Sequence, residues 1–205
     1  MKKCEFSEKN YEILFIHEVL NKVKDVDVFS PSQVAEKQVG YDDLFLTKQR
    51  RKLLAFQFKI CKEYKTNPPS LNKNSRCFKF DLHFDRKTRK YAQHNALVLK
   101  NKECFACYVV PYFNSYADLF TYSNSANLID NSLMLVPLKE INDDKSHYVN
   151  FDNTIAYQHS KEAFKMKISK FDELIKECEE ITKEEFEKII NTRFKSDYKA
   201  ICILI

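Results

Sequence analysis

The chain has 205 residues, of which 44% are hydrophobic and 14% aromatic; that is enough to bury a core, so a mainly disordered chain is excluded and one domain is expected. Charged residues make up 31% and the net charge is +5, a mild excess that permits a nucleic-acid partner without requiring one. No run approaches the roughly 18 apolar residues of a membrane span, and the opening Met-Lys-Lys-Cys has no apolar segment behind it, so a soluble cytoplasmic protein is expected.

Seven scattered cysteines fit reduced thiols acting as small hydrophobes. Cys104-Phe-Ala-Cys107 has zinc-like spacing, but it has no second pair and sits in an apolar run, so it reads as core. Gly40 is the one glycine, where a chain of this length has roughly fourteen on average usage. A glycine that survives such depletion marks a place where the backbone needs it, and this one directly precedes Tyr41-Asp42-Asp43.

Residues 8–24 read as a helix with Phe15, Ile16, Val19, Leu20 and Val23 on one arc. Glu12 falls near the middle of that arc, a local inconsistency of the kind that marks a site; Glu18 falls off it. Residues 25–40 read as irregular, with a helix start at Ser30-Pro31-Ser32 leading into 33–39. Strands are expected at 41–47 and 52–62, joined by a polar turn into a β-hairpin. A loop follows at 66–76, then a strand at 77–84, a helix at 91–99, a buried strand at 104–110, a short helix at 116–122 and a strand at 132–136. One or two edge strands are expected within 147–157. The tail reads as helical, with Ser169 capping one helix and Thr182-Lys183-Glu184-Glu185 forming a capping box for another.

Strand side chains alternate faces. Gln57 and Lys59 therefore share one face, and Phe56, Phe58 and Ile60 the other. In a hairpin Asp42 lies beside the second strand, so an acid, an amide oxygen and an ammonium gather at one end of a strand pair. A carboxylate and a carbonyl are hard ligands suited to Mg²⁺. A metal there polarises a phosphate and lowers the pKa of a bound water, while a lysine offsets developing charge.

Glu on a first helix, Gly-x-Asp opening a strand and Gln-x-Lys closing the next together resemble the PD-(D/E)XK nuclease superfamily. The pattern is most similar to the Gln-x-Lys variant of some modification-dependent restriction endonucleases, and it covers residues 8–62. The resemblance implies an α/β (α+β) fold with a mixed central β-sheet flanked by helices, a restriction-endonuclease-like core. The expected division is a nuclease-like domain over 1–165 and C-terminal helices over 166–205 packed on it. The implied activity is Mg²⁺- or Mn²⁺-dependent cleavage of nucleic acid, DNA first, in restriction or phage defence. Asp42, Gln57 and Glu12 would be metal ligands and Lys59 the catalytic lysine. An amide in place of the commoner acid implies weaker metal binding. Asp43, on the opposite face, is the second candidate acid; Glu36, and after it Glu18, could replace Glu12. His94 is a further candidate, set against a surface or capping role. Lys48, Arg50, Arg51 and Lys52 at the turn, and Arg86, Lys87, Arg89 and Lys90 before the 91–99 helix, could grip phosphates. A homodimer or a defence-system protein are the protein partners implied. The alternative is the same fold without catalysis, as a nucleic-acid-binding or protein-interaction subunit.

Overall fold

A computed structural model describes residues 1–24, 26–31, 40–47, 52–101, 104–159 and 163–177, with 182 and 184. Helix α1 (Glu8–Lys22) starts where the Ser7 hydroxyl accepts from the Asn10 amide, and it ends as Val23 turns extended. Its spacing brings Tyr11, Phe15 and Val19 to one buried face, each worth about 1.5–3 kcal/mol of burial. Then follow β1 (Val26–Phe29), β2 (Asp43–Thr47), β3 (Lys52–Phe58), β4 (Lys62–Glu63), β5 (Phe78–Asp81), α2 (Ala92–Lys100), β6 (Phe105–Pro111), α3 (Tyr116–Asn124), β7 (Ser132–Val136), β8 (Tyr148–Phe151), β9 (Ala156–His159), β10 (Ala163–Ser169) and α4 (Phe171–Glu177). The fold is mixed α/β, as the sequence implied.

The ten strands among the described residues join one sheet in the order β1-β2-β3-β6-β7-β10-β9-β8-β5-β4. Strands β3 and β6 pair parallel; the other ladders are antiparallel. The sheet has to curl. From β3 to β4 is seven strand steps, about 34 Å if flat at ~4.8 Å each, yet residues 59–61 alone connect them, a reach of about 14 Å at most. Strand β10 makes the bend, pairing with β9 through 163–166 and with β7 through 167–169.

Curling gives the sheet an inner and an outer face. The inner face gathers Leu53, Ala55, Phe80, Tyr108, Leu135 and Val149 into one core, on which Leu97 of α2 packs. On the β2–β3–β6–β7 half, the outer face carries Phe45, Phe56, Phe58, Val109 and Met134 under α1, α3 and α4. Strand β6 is buried on both faces, so Cys107 is core, as its apolar run suggested.

Several expectations need correction. Strands β1 and β10 stand where an irregular segment and a helical tail were expected. Strands β8 and β9 are interior, because β10 inserts between β9 and β7. Ser169 ends β10 instead of capping α4, and its buried hydroxyl has no hydrogen-bond partner among the described residues; Glu173 instead accepts from the Lys170 amide. Glu18 is buried, because its carboxylate accepts from the Leu128 and Ile129 amides at 2.8 and 3.3 Å. Position 165 falls inside β10. The helix at 33–39, the turn at 48–51 and the second tail helix lie outside the described residues.

Candidate phosphodiesterase site

Gly40 has φ of +78°, a left-handed conformation. A Cβ there would lie 2.5 Å from the Leu97 amide nitrogen, 2.6 Å from the Gln93 carbonyl oxygen and 2.8 Å from the Ala96 methyl. The glycine therefore lets the segment before β2 press directly on the backbone of α2. Tyr41, 1% exposed, is sealed into the inner core. Asp42 is fixed from both sides: its amide donates to the Phe56 carbonyl at 2.8 Å, and its Oδ2 accepts from the Phe58 amide at 2.6 Å. The carboxylate thus takes over the ladder position at the end of β3, between Gln57 and Lys59.

Alternation puts Gln57 on the inner face with Leu53 and Ala55. It is 1% exposed, and its Nε2 has no hydrogen-bond partner among the described residues. A buried amide left so costs stability and calls for an explanation. Its parallel neighbour is Tyr108, whose hydroxyl lies 2.6 Å from His94 Nδ1. His94 Nε2 sits 2.9 Å from the Lys139 carbonyl, which can only accept. His94 is therefore neutral with its proton on Nε2, and the tyrosine donates to Nδ1. Burial pulls its pKa down to about 4, and burial followed by the Asp42 charge pushes the Tyr108 phenol up. His94 is neither a surface nor a capping residue; it stands one layer behind Gln57.

Asp43 opens β2 opposite Phe56 and so lies on the outer face, under α1. It is fully buried and accepts from the Ser30 hydroxyl. Glu12 comes from α1 on the same side, 6% exposed and bonded to Lys9. Burial draws the Lys9 pKa down, but the bond to Glu12 and the charges of Glu12, Asp43 and Asp42 overcome it, and the net shift is upward. Lys59, just past the end of β3, reaches Glu8 Oε1 at 3.5 Å. Burial raises the Glu8 pKa, against the nearby Lys59 charge.

The structure sets the Asp42 carboxylate at the end of β3 between the backbones of Gln57 and Lys59, but it does not put those two side chains on one face as alternation predicted: Gln57 turns into the inner core, and Lys59, past the last residue of the strand, reaches Glu8 of α1. Glu12 joins Asp43 on the other side of the strand plane, and Lys59 leans towards that side. Sequence reasoning missed Glu8, Lys9 and Tyr108. Glu8 was within reach of it, one helical turn before Glu12; Tyr108 required knowing the β3–β6 pairing. Arg86, Lys87 and Lys90 are exposed, and Arg89 is exposed and paired with Asp144. Their loop runs directly into the first turns of α2, against which Gly40 packs. Lys48, Arg50, Arg51 and Glu36 lie outside the described residues.

Among the described residues no three His, Cys, Asp or Glu side chains form a group that could hold a metal ion. Mg²⁺ needs no such cage: it keeps several waters and takes one or two carboxylates together with substrate phosphates. Asp42 and the Gln57 carbonyl are the hard oxygens that could join a site of that sparse kind. The chain matches no family model, no curated protein and no solved structure. No helix among the described residues is long and apolar enough to cross a membrane.

Proposed function

We propose that the chain is a metal-dependent nuclease of the cytoplasm that hydrolyses phosphodiester bonds, DNA first. The observation that carries this reading is the bond from the Phe58 amide to Asp42, which holds the acid between Gln57 and Lys59.

Asp42 and the Gln57 carbonyl would hold Mg²⁺ or Mn²⁺, while Glu12 and Asp43, on the other side of the strand plane, would add only the pull of their charge. When bound, the metal supplies a polarised phosphate and a more acidic water. Lys59 would hold a non-bridging phosphate oxygen and offset the charge that builds on it. Gly40 and Phe58 keep Asp42 in place without movement of the backbone. Arg86, Lys87 and Lys90 would hold the strand by its phosphates, without reading sequence.

One observation favours a second reading, a nuclease-like fold that binds without cutting: Lys59 and Lys9 are both engaged by carboxylates of α1. The experiment is incubation with plasmid, linear duplex, single-stranded DNA and RNA in Mg²⁺ or Mn²⁺, then with EDTA. Metal-dependent cutting that disappears in Lys59→Ala and in Asp42→Asn supports the first reading. Binding with no cutting in any metal supports the second. Neither binding nor cutting refutes both.

A further inference from the structure

At the bend of the sheet, Gln158 of β9 stands directly across from Phe164 of β10. Alternation puts both on the side of Ala156 and Met166, the inward side. With His147 and the loop over 139–143 they wall a half-open cavity of about 330 Å³. That lies within the roughly 300–1,000 Å³ of small-ligand sites, which favour the mouths of curled sheets.

The lining is chemically mixed. Phe164 gives a flat apolar wall, and the Lys139 ammonium lies over its ring at 4.1 Å. Gln158 is 2% exposed, yet its Nε2 makes only a long 3.3 Å bond, to the Lys139 carbonyl. His147 is held rigid by the His159 carbonyl at 3.0 Å and by Asp143 Oδ1 at 2.6 Å, both acceptors. Glu140 and Asp143 add carboxylates. An apolar ligand would strand these polar groups, and a bare anion would meet two carboxylates. The ligand that fits is flat, offers N–H donors to the carboxylates and presents carbonyl or ring-nitrogen acceptors to Lys139 and Gln158.

We propose that this cavity takes a single nucleobase, from a free nucleotide or swung out of a strand. The base lies on Phe164 in place of the Lys139 ammonium, which moves to a base carbonyl; Gln158 and Asp143 bond the base edge. Aromatic stacking plus a few edge bonds is how proteins hold an extruded base. The inference rests on the nucleic-acid reading for why a base is on offer, and on the cavity alone for why a base fits. The loop that floors the cavity is also tied to the candidate site, since the Lys139 carbonyl accepts from His94.

The test is titration of the full chain in EDTA, so that no strand is cut. The probes are the four nucleoside monophosphates, inorganic phosphate, and a labelled single-stranded oligonucleotide with its abasic counterpart. Calorimetry and fluorescence anisotropy read the binding. Saturable binding of a nucleotide, or of the base-bearing oligonucleotide over the abasic one, is expected; the first assigns a free nucleotide and the second a strand-borne base. Phe164→Ala should weaken it about tenfold or more, the scale of one lost stacking ring. Lys139→Met, at an exposed position, gives a second variant that leaves the fold intact. No binding, binding equal in both variants and the parent, or phosphate competing as well as nucleotide overturns the proposal. If metal-dependent cutting persists while these titrations fail, the cavity proposal alone falls; if no cutting is found while they succeed, the nuclease reading alone falls.

Discussion

Gly40→Ala tests the link between the lone glycine and the site. The new methyl would meet the Leu97 nitrogen at 2.5 Å and the Gln93 oxygen at 2.6 Å, both helix backbone, and the Ala96 methyl at 2.8 Å. None of these is the end of a flexible side chain. Holding a non-glycine residue in the left-handed region costs about 1–2 kcal/mol, and overpacking typically adds about 1–3 kcal/mol. Restricting the unfolded chain returns about 0.4–1 kcal/mol. The net is a loss of about 3 kcal/mol, a large share of the roughly 5–15 kcal/mol that holds a domain together. For a chain of this size that lowers Tm by about 6–12 °C. Differential scanning calorimetry reads it, and a cleavage assay at a temperature where the variant is folded should show activity falling as well, because Asp42 moves with the segment. Ala96→Gly in the same chain should not rescue it, since it removes only the weakest of the three contacts. A Gly40→Ala protein melting within about a degree of the parent would refute the argument that this backbone contact sets Asp42.

Glu18→Ala should lose about 3 kcal/mol in a urea melt, because two buried amides lose their acceptor, with cleavage per folded molecule unchanged. His94 has a folded pKa of about 4 against an ordinary 6.5, so below pH 6.5 the unfolded chain takes up the proton first. Its contribution is complete above about pH 6.5 and is lost as the pH falls towards 4, about 2 kcal/mol between pH 7 and pH 5; urea melts of His94→Gln should lack this part of the slope. Asp42→Asn keeps an oxygen for the Phe58 amide and should melt near the parent, whereas Asp42→Ala should cost about 1–3 kcal/mol; both should abolish metal-dependent cutting. Glu8→Gln should preserve or raise cutting if Lys59 serves the phosphate, and leave a non-cutting protein unchanged if it does not.

The parts of the fold readable in the sequence are those whose signal is local. Ser7 and the Tyr11–Phe15–Val19 spacing define α1, and alternation with a polar turn defines the β2–β3 hairpin. Strand β1, Val26-Asp27-Val28-Phe29, has only four residues, too few for its apolar-polar-apolar start to stand out. Strand β10 does alternate at Phe164, Met166 and Ile168, but lysines at 165 and 167 and a helix start close behind it resemble a helical tail. Glu18 was misplaced because its partners are amides 110 and 111 residues along the chain. At the candidate site, the closeness of Asp42 to the end of β3 was legible because one hairpin supplies both; the divergence of Gln57 and Lys59 was not, because β3 ends at Phe58. Tyr108 was not, because the β3–β6 pairing is parallel and crosses some fifty residues; His94 was singled out, but its bond to Tyr108 depends on the same pairing.

The position of Lys59 decides how the two functional readings are weighed. Strand β3 ends at Phe58, so the pleat no longer dictates which side Lys59 takes, and a long flexible side chain can reach either. The side chains of Lys59 and its present partner Glu8 are 14% and 39% exposed, and the contact is 3.5 Å, too long for a well-formed charge-assisted bond. A phosphate oxygen arriving beside Asp42 would compete for the same ammonium with charge-assisted bonds of its own, typically about 1.5–3 kcal/mol. The exchange then favours the substrate. On the nuclease reading, the contact with Glu8 is thus a resting arrangement that an arriving phosphate breaks.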